Sequence, residues 1–419
     1  MNREEFYSVL KSVPKAEVHV HIEAVSTIET IKALYKKRFG KEMTDEDIKN
    51  LFSYEDLNGF IQAFLQVQDL FQSVDDFNYV FDDLAKYLVD NNVTYCEAFF
   101  APSAFIKKGF KYEEMVAIFS KKIAEIKQNH GITIKLLLDV SRTFGCENAM
   151  NNYNLLKQCP CKDIIGIGLG GAEQKGPAKE FAAVFEQAHK DGYHAVAHAG
   201  EDVGPESIWD AINYLHSERI GHGVTAIQDE ELMNNLAKTK LPIEVCVTSN
   251  VFTKKIVQKV SEHPIRTFFD KNMFVTVNTD DPVFFKTTLL DEYWICSKSL
   301  KFTMDEIKQL IKNSFIASFI SDKEKTDYCN QIDAAFAKLS AASFSPLDLV
   351  ITASFSLSAS ATLAITLCIS SGNFTSFNST FSTLIPQGSV ASSITLHISV
   401  DILSLSDNNS SKEIAPTAF

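Results

Sequence analysis

Apolar and polar side chains alternate with a period of two along Ala16-Glu17-Val18-His19-Val20-His21-Ile22, which predicts a strand over 16–22. Residues i and i+2 of a strand share a face, so His19 and His21 point to the same side. From about 28 to 90 the spacing changes to three and four: Ile28, Ile31 and Leu34, then Phe60, Ile61, Phe64 and Leu65, then Phe77, Val80, Phe81, Leu84 and Leu88. This predicts a long helical insertion behind the first strand, whose phenylalanines pack between helices or roof whatever the strand carries. Beyond it, β-prone runs at 94–100, 133–140, 164–170, 194–198, 219–222, 242–248 and 274–280 alternate with helical segments that include 112–128, 177–191, 206–215, 229–238 and 264–271. A short helix over 3–12 precedes this series, and helices over 304–315 and 323–339 follow it.

Eight strand-plus-helix units in succession predict an α/β fold, a closed (β/α)8 TIM barrel with its active site in the loops after the strands. A doubly wound open sheet is the alternative, but it would keep the first and eighth strands apart. The polar residues at the predicted strand ends are His19 and His21, His198, His222, and Asp280 with Asp281. Each has a plain structural reading alone: a polar strand face, a hydrogen-bonded histidine, a loop at Gly221-His222-Gly223, a turn at Asp280-Asp281-Pro282. Eight-fold order places them together on one rim.

The pattern stops at about residue 339, so residues 1–339 are expected to form the catalytic domain and 340–419 a Ser/Thr-rich, low-charge extension outside it. Between Asp348 and Asp401 there is no Lys, Arg, Asp or Glu. A disordered appendage, a small β-rich module, a membrane segment and an extension not natural to the enzyme all fit that composition. The apolar run at 349–369 is long enough to span a bilayer but carries many hydroxyls, so no membrane association is expected.

A chain of 419 residues, 45% hydrophobic, can bury a sizeable core. The net charge of −13 and pI near 5.3 argue against a nucleic-acid partner and suit a small neutral or cationic substrate. Eight cysteines lack a regular framework, and Cys159 and Cys161 have no second pair to complete a metal site. Reduced thiols and a cytoplasmic location follow, since Met1-Asn2-Arg3-Glu4-Glu5 also lacks an apolar signal core.

Imidazoles and a carboxylate around zinc, with one position open, lower the pKa of bound water from about 15.7 to near 7. The ligand set here would be His19, His21, His198 and Asp280, one zinc per chain. Glu201, three residues beyond a ligand, would deliver a proton to substrate; His222 would hold or deprotonate the water, and Asp281 would orient it.

The motifs His19-Val20-His21, His198-Ala199-Gly200-Glu201, Ile220-Gly221-His222-Gly223, Thr248-Ser249-Asn250 and Asn278-Thr279-Asp280-Asp281-Pro282 resemble, in order, those of the adenosine/adenine deaminases. The resemblance covers roughly residues 9–335. It implies a zinc-dependent barrel that replaces the 6-amino group of a purine by oxygen and releases ammonia, in purine salvage. It implies the same ligands, Glu201 as proton donor to purine N1, His222 as base and Asp281 as the carboxylate on the attacking hydroxide. Gly171 matches the glycine whose backbone N–H meets the purine ring.

Two departures stand out. The nucleoside branch usually reads H-x-H-x-D-G, whereas this chain has His21-Ile22-Glu23-Ala24, placing a longer acid where the ribose 5′-hydroxyl is bound. Phe99 stands where relatives commonly carry an arginine, which puts a structural ion pair in question. Gly170-Gly171-Ala172-Glu173, Gly221-His222 and Thr279-Asp280 nevertheless resemble the nucleoside branch, so adenosine and 2′-deoxyadenosine are the expected substrates. Adenine deamination is the alternative, and Glu23 favours it. A catalytically dead barrel that only binds is the second, although none of the seven polar site residues that the chemistry needs is missing.

Overall fold

The computed structural model describes residues 1–253 and 256–343, with the backbone of 377–387 and 390–400. Eight parallel strands form one sheet in sequence order: β1 (Lys15–His21), β2 (Val93–Phe100), β3 (Thr133–Asp139), β4 (Ile164–Leu169), β5 (His194–Ala199), β6 (Arg219–His222), β7 (Ile243–Val245) and β8 (Val275–Val277). β8 returns to β1 through the His21 N–H donating to the Asp280 carbonyl at 3.0 Å and the Asp280 N–H to the His19 carbonyl at 3.1 Å. Buried Glu17 accepts the Thr279 N–H at 3.0 Å, and the Asn278 side-chain oxygen accepts the Val18 N–H at 3.0 Å, so the seam joining the first and eighth strands is tied by side chains. The barrel therefore closes as the alternation predicts.

Helices Ile28–Phe39, Asp45–Leu51, Leu57–Leu70 and Phe77–Asp90 make up the insertion after β1. Polar caps set their starts, for example Thr27 accepting the Thr30 N–H and Asp56 accepting the Gly59 N–H. The segment expected as one helix at 177–191 is a 3-10 turn, Ala178–Phe181, followed by the helix Ala182–Lys190. Two further helices are Gly145–Gln158, between β3 and β4, and Leu289–Lys298, after β8. Gly145–Gln158 carries Asn148, Asn151, Asn152 and Asn154, poor helix formers, and is held instead by burying Ala149, Asn152, Tyr153 and Leu156 on one face.

Most buried apolar side chains lie in one continuous core. Inside the barrel Phe99, Leu137 and Val196 form a second, small cluster. Phe319 packs beneath it, stacked on His194 at 3.8 Å and under the Arg219 guanidinium at 3.9 Å, which fills the barrel below the strand ends that carry the site.

The chain divides into two compact units, Met1–Ala342 and Ser343–Phe419. In the second, β9 (Phe377–Gln387) pairs antiparallel with β10 (Val390–Val400). The run at 349–369 lies outside the described residues. Among the described residues no helix is long and apolar enough to cross a membrane, and the seven cysteines are all free.

Candidate active site and metal centre

β1 carries His19 and His21 on one face. The His19 ring crosses above Gly221, where an added Cβ would come within 2.7 Å of His19 Cε1, so only glycine fits there. His19 Nδ1 lies 2.6 Å from Glu244 Oε2 on β7, which orients the ring and leaves Nε2 buried without a hydrogen-bond partner. That Nε2 lies 3.4 Å from Asp280 Oδ1, and His21 Nε2 lies 3.3 Å from the same oxygen. His198 Nε2, at the end of β5, is 3.2 Å from His21 Nε2. Ser249 donates to Asp280 Oδ2 at 2.7 Å and fixes which oxygen faces the imidazoles. Ligands at 2.0–2.2 Å around a tetrahedral ion lie about 3.3–3.6 Å apart, close to these separations. The residues present therefore fit a metal ion, with a donor set of nitrogen and carboxylate. Asp280 also lies within ligand range of His19, His198 and His222 in one grouping, and of His21 and Asp281 in another.

Glu201 sits on the loop after β5, and Glu173 holds that loop. Its carboxylate accepts the backbone N–H groups of Gly200 at 2.6 Å, Glu201 and Asp202 at 3.0 Å and Val203 at 3.1 Å, and the Ser207 hydroxyl as well. Arg142 bonds the carbonyls of His198 and Gly176 from the other side. Burial, then the neighbouring carboxylates Asp280 and Glu173, raise Glu201 well above the ordinary carboxylate range, which favours its protonated form. His222 Nε2 lies 3.6 Å from Glu201 Oε2. Asp281 is buried, with Oδ1 lacking a hydrogen-bond partner. His21, His198, Glu201, His222, Asp280, Asp281 and Gly171 all line one cavity, roofed by Leu57, Phe60, Ile61, Phe64 and Leu65 of the insertion. Gly171 has φ +87°, and a Cβ there would meet Thr143 Oγ1 at 2.6 Å.

Glu23 is placed differently. It is 1% exposed, its Oε1 accepts the Ala101 N–H at 3.1 Å and the Gln68 amide at 3.4 Å, and the cavity is lined by Gln68 and Ala101. Phe99 stacks on His21 at 5.0 Å and meets His19 edge-on at 4.9 Å, so it packs directly against two of the histidines. The ion pair left in question by that phenylalanine exists in another form: Arg219 of β6 bridges Glu97 and Glu244.

Sequence reasoning passed over the second layer: Glu17, Glu97, Arg219 and Glu244 inside the barrel, Arg142 and Glu173 around the Glu201 loop, and His263 behind Asn250. A charged residue at an inward position of a strand, as Glu244 is in Ile243-Glu244-Val245, was the available signal.

A family model described as adenosine deaminase matches residues 14–335. An adenine deaminase of Psychrobacter cryohalolentis is 34% identical over 331 residues, covering 78% of this chain and 98% of the relative. An aminodeoxyfutalosine deaminase of Streptomyces avermitilis is 31% identical over 78% of this chain and 93% of its own length. The solved adenine deaminase from Arthrobacter aurescens superposes with a TM-score of 0.74 at 28% identity, covering 78% of this chain and 99% of that one.

Proposed function

The chain belongs to the adenosine deaminase family and is an aminohydrolase acting on adenine or related purines; on that premise we propose that free adenine is its preferred substrate, converted with water to hypoxanthine and ammonia in cytoplasmic purine salvage. The observation that carries the choice of base over nucleoside is Glu23. The acid that should greet a ribose 5′-hydroxyl is drawn out of the cavity lining, with Oε1 on Ala101 and Gln68 and Oε2 buried without a hydrogen-bond partner. Asp139, at the cavity wall, supplies an acceptor for the N9–H that adenine has and a nucleoside lacks. The adenine deaminase relatives agree with this reading. The nucleoside reading, adenosine and 2′-deoxyadenosine, keeps the support of the motifs at Gly170–Glu173 and Gly221–His222.

We assign His19, His21, His198 and Asp280 as the residues that hold one zinc ion per chain. When bound, the ion supplies a Lewis acid that makes water nucleophilic near neutral pH. Glu201, protonated, donates to purine N1, which makes C6 electrophilic, and the Gly171 N–H meets the ring. Asp281 and His222 flank the position from which oxygen adds to C6. The apolar roof excludes bulk water from the reacting centre. Every residue invoked lies within the matched region, so we place catalysis in residues 1–339 and leave 340–419 outside it.

Ammonia release from adenine, adenosine and 2′-deoxyadenosine tests the assignment. A kcat/KM for adenine at least about 10²-fold above the nucleosides is expected, because an added sugar must displace the roof or do without Glu23, which does not line the cavity. Preference for a nucleoside overturns the substrate assignment. The same assay on a chain ending at Leu339 tests the domain boundary, with unchanged turnover expected.

A further inference from the structure

Behind His222 runs a line of buried hydrogen bonds that ends on a backbone amide. Ile265 is the first residue of the helix Ile265–Asp270, so its N–H has no partner inside the helix. It donates to His263 Nδ1 at 3.1 Å. A ring nitrogen that accepts carries no proton, so the hydrogen of His263 is on Nε2. That nitrogen lies 3.2 Å from Asn250 Oδ1, which accepts from it. The orientation of the Asn250 amide is thereby fixed, and its NH2 group faces His222 Nδ1 at 3.1 Å. All three side chains are buried, so water does not offer them other partners.

Resting on the site proposed above, we infer that Asn250 and His263 are positioning residues that hold His222 in the tautomer protonated on Nε2, so that His222 meets the reacting centre as a hydrogen-bond donor and not as a base. Its Nδ1 accepts from Asn250, which leaves Nε2 to carry the ring proton. Nε2 is the nitrogen that faces Glu201 and the cavity. A donor at this place stabilises negative charge on the oxygen that adds to C6. The same proton excludes His222 from ligating a metal through Nε2, although it lies within ligand range of His19, His198 and Asp280. The expectation that His222 acts as base is replaced by this reading. The direction of the whole line is set by one element the side chains cannot alter, the amide of Ile265.

The tautomer is observable without turnover. Metal-loaded protein with 15N-labelled histidine gives, in a long-range 1H–15N correlation spectrum, separate patterns for Nδ1–H and Nε2–H rings, and His222 is assigned by its absence in His222→Gln. The wild type is expected to show Nε2–H at His222 and at His263. Asn250→Asp presents an acceptor to both rings and is expected to switch His222 to Nδ1–H, with kcat lower by about 10²- to 10⁴-fold and KM for adenine changed much less. An Nδ1–H tautomer at His222 in the wild type, which a ligating or basic Nε2 requires, overturns the inference whatever the variant does. Because the spectrum is read without substrate, a protein inactive on adenine that still shows Nε2–H refutes the substrate and leaves this inference standing.

Discussion

The two halves of the barrel bring their functional groups to the rim in different ways. β1 to β4 run for seven, eight, seven and six residues, and the first two ligand candidates, His19 and His21, lie within β1, His19 at a shift in its register with β2 and His21 paired again with Phe99. β6 to β8 run for four, three and three residues. There the chain leaves the sheet early, and His222 and Asp280 sit on left-handed backbone with φ of 63° and 67°. Such a conformation costs a β-carbon residue roughly 1–2 kcal/mol and persists only where the surroundings over-determine it. They do: Asp280 is tied to β1 on both sides of its peptide and to Ser249 through its carboxylate, and His222 is held by Asn250. In the first half strand alternation puts both histidines on one face and the ladder holds His21, while Glu244 turns the His19 ring. In the second half side chains hold backbone and ligand alike.

This contrast can be broken most strongly at Asp280, where ligand and backbone strain coincide. Asp280→Ala is expected to lower kcat/KM for deamination by at least about 10⁴-fold, measured by ammonia release. A sharper comparison pairs Ser249→Ala with Phe99→Leu. The first frees a loop-borne carboxylate and should weaken metal affinity by about 10- to 100-fold in a competition titration with a chelator. The second removes the ring stacked on strand-borne His21, and the ladder should keep the loss under about 10-fold. Equal losses from the two would show that the strand does not aim His21.

The smallest effect concerns Glu292, which anchors the loop after β7 by accepting from the Thr248 N–H at 3.1 Å and the Thr287 hydroxyl at 2.7 Å. Burial raises it from 4.5 to about 7. The folded state therefore holds this proton more tightly than the unfolded one, so the stability linked to it is complete below about pH 4.5 and is lost as pH rises through about 7. Glu292→Gln mimics the protonated form and removes that dependence. Its Tm relative to wild type should rise between pH 5 and pH 8, and a constant difference over that range would contradict the assignment.

The same contrast explains what could be read from the sequence. Strands whose side chains alternate over a full length, β1 and β2, were placed within a residue of their observed ends. The runs at 242–248 and 274–280 overshoot strands that stop at Val245 and Val277: in the first, Val247 and Thr248 are β-prone residues placed on a short helix, Val247–Phe252, and in the second the chain turns into left-handed backbone at Asp280. Local propensity yields there to the bonds that Ser249 and Asn250 make with Asp280 and His222. The rim histidines and aspartates were legible because each lies near or just past the C-terminal end of a strand in a series of eight. Their supports were not: Glu244 reaches His19 across 225 residues of chain, and no periodicity records such a pair. Nor could alternation show that Glu23 turns to Ala101 and Gln68, since that depends on where the insertion helices pack.

In the proposed site, strand-borne and loop-borne residues converge on one metal while Glu201 stands outside its ligand set. Elemental analysis of purified wild-type, Asp280→Ala and Glu201→Gln protein tests it most directly. About one zinc per chain is predicted for the wild type and for Glu201→Gln, and none for Asp280→Ala. A metal-free Glu201→Gln protein, or an Asp280→Ala protein that retains its zinc in full, would contradict it.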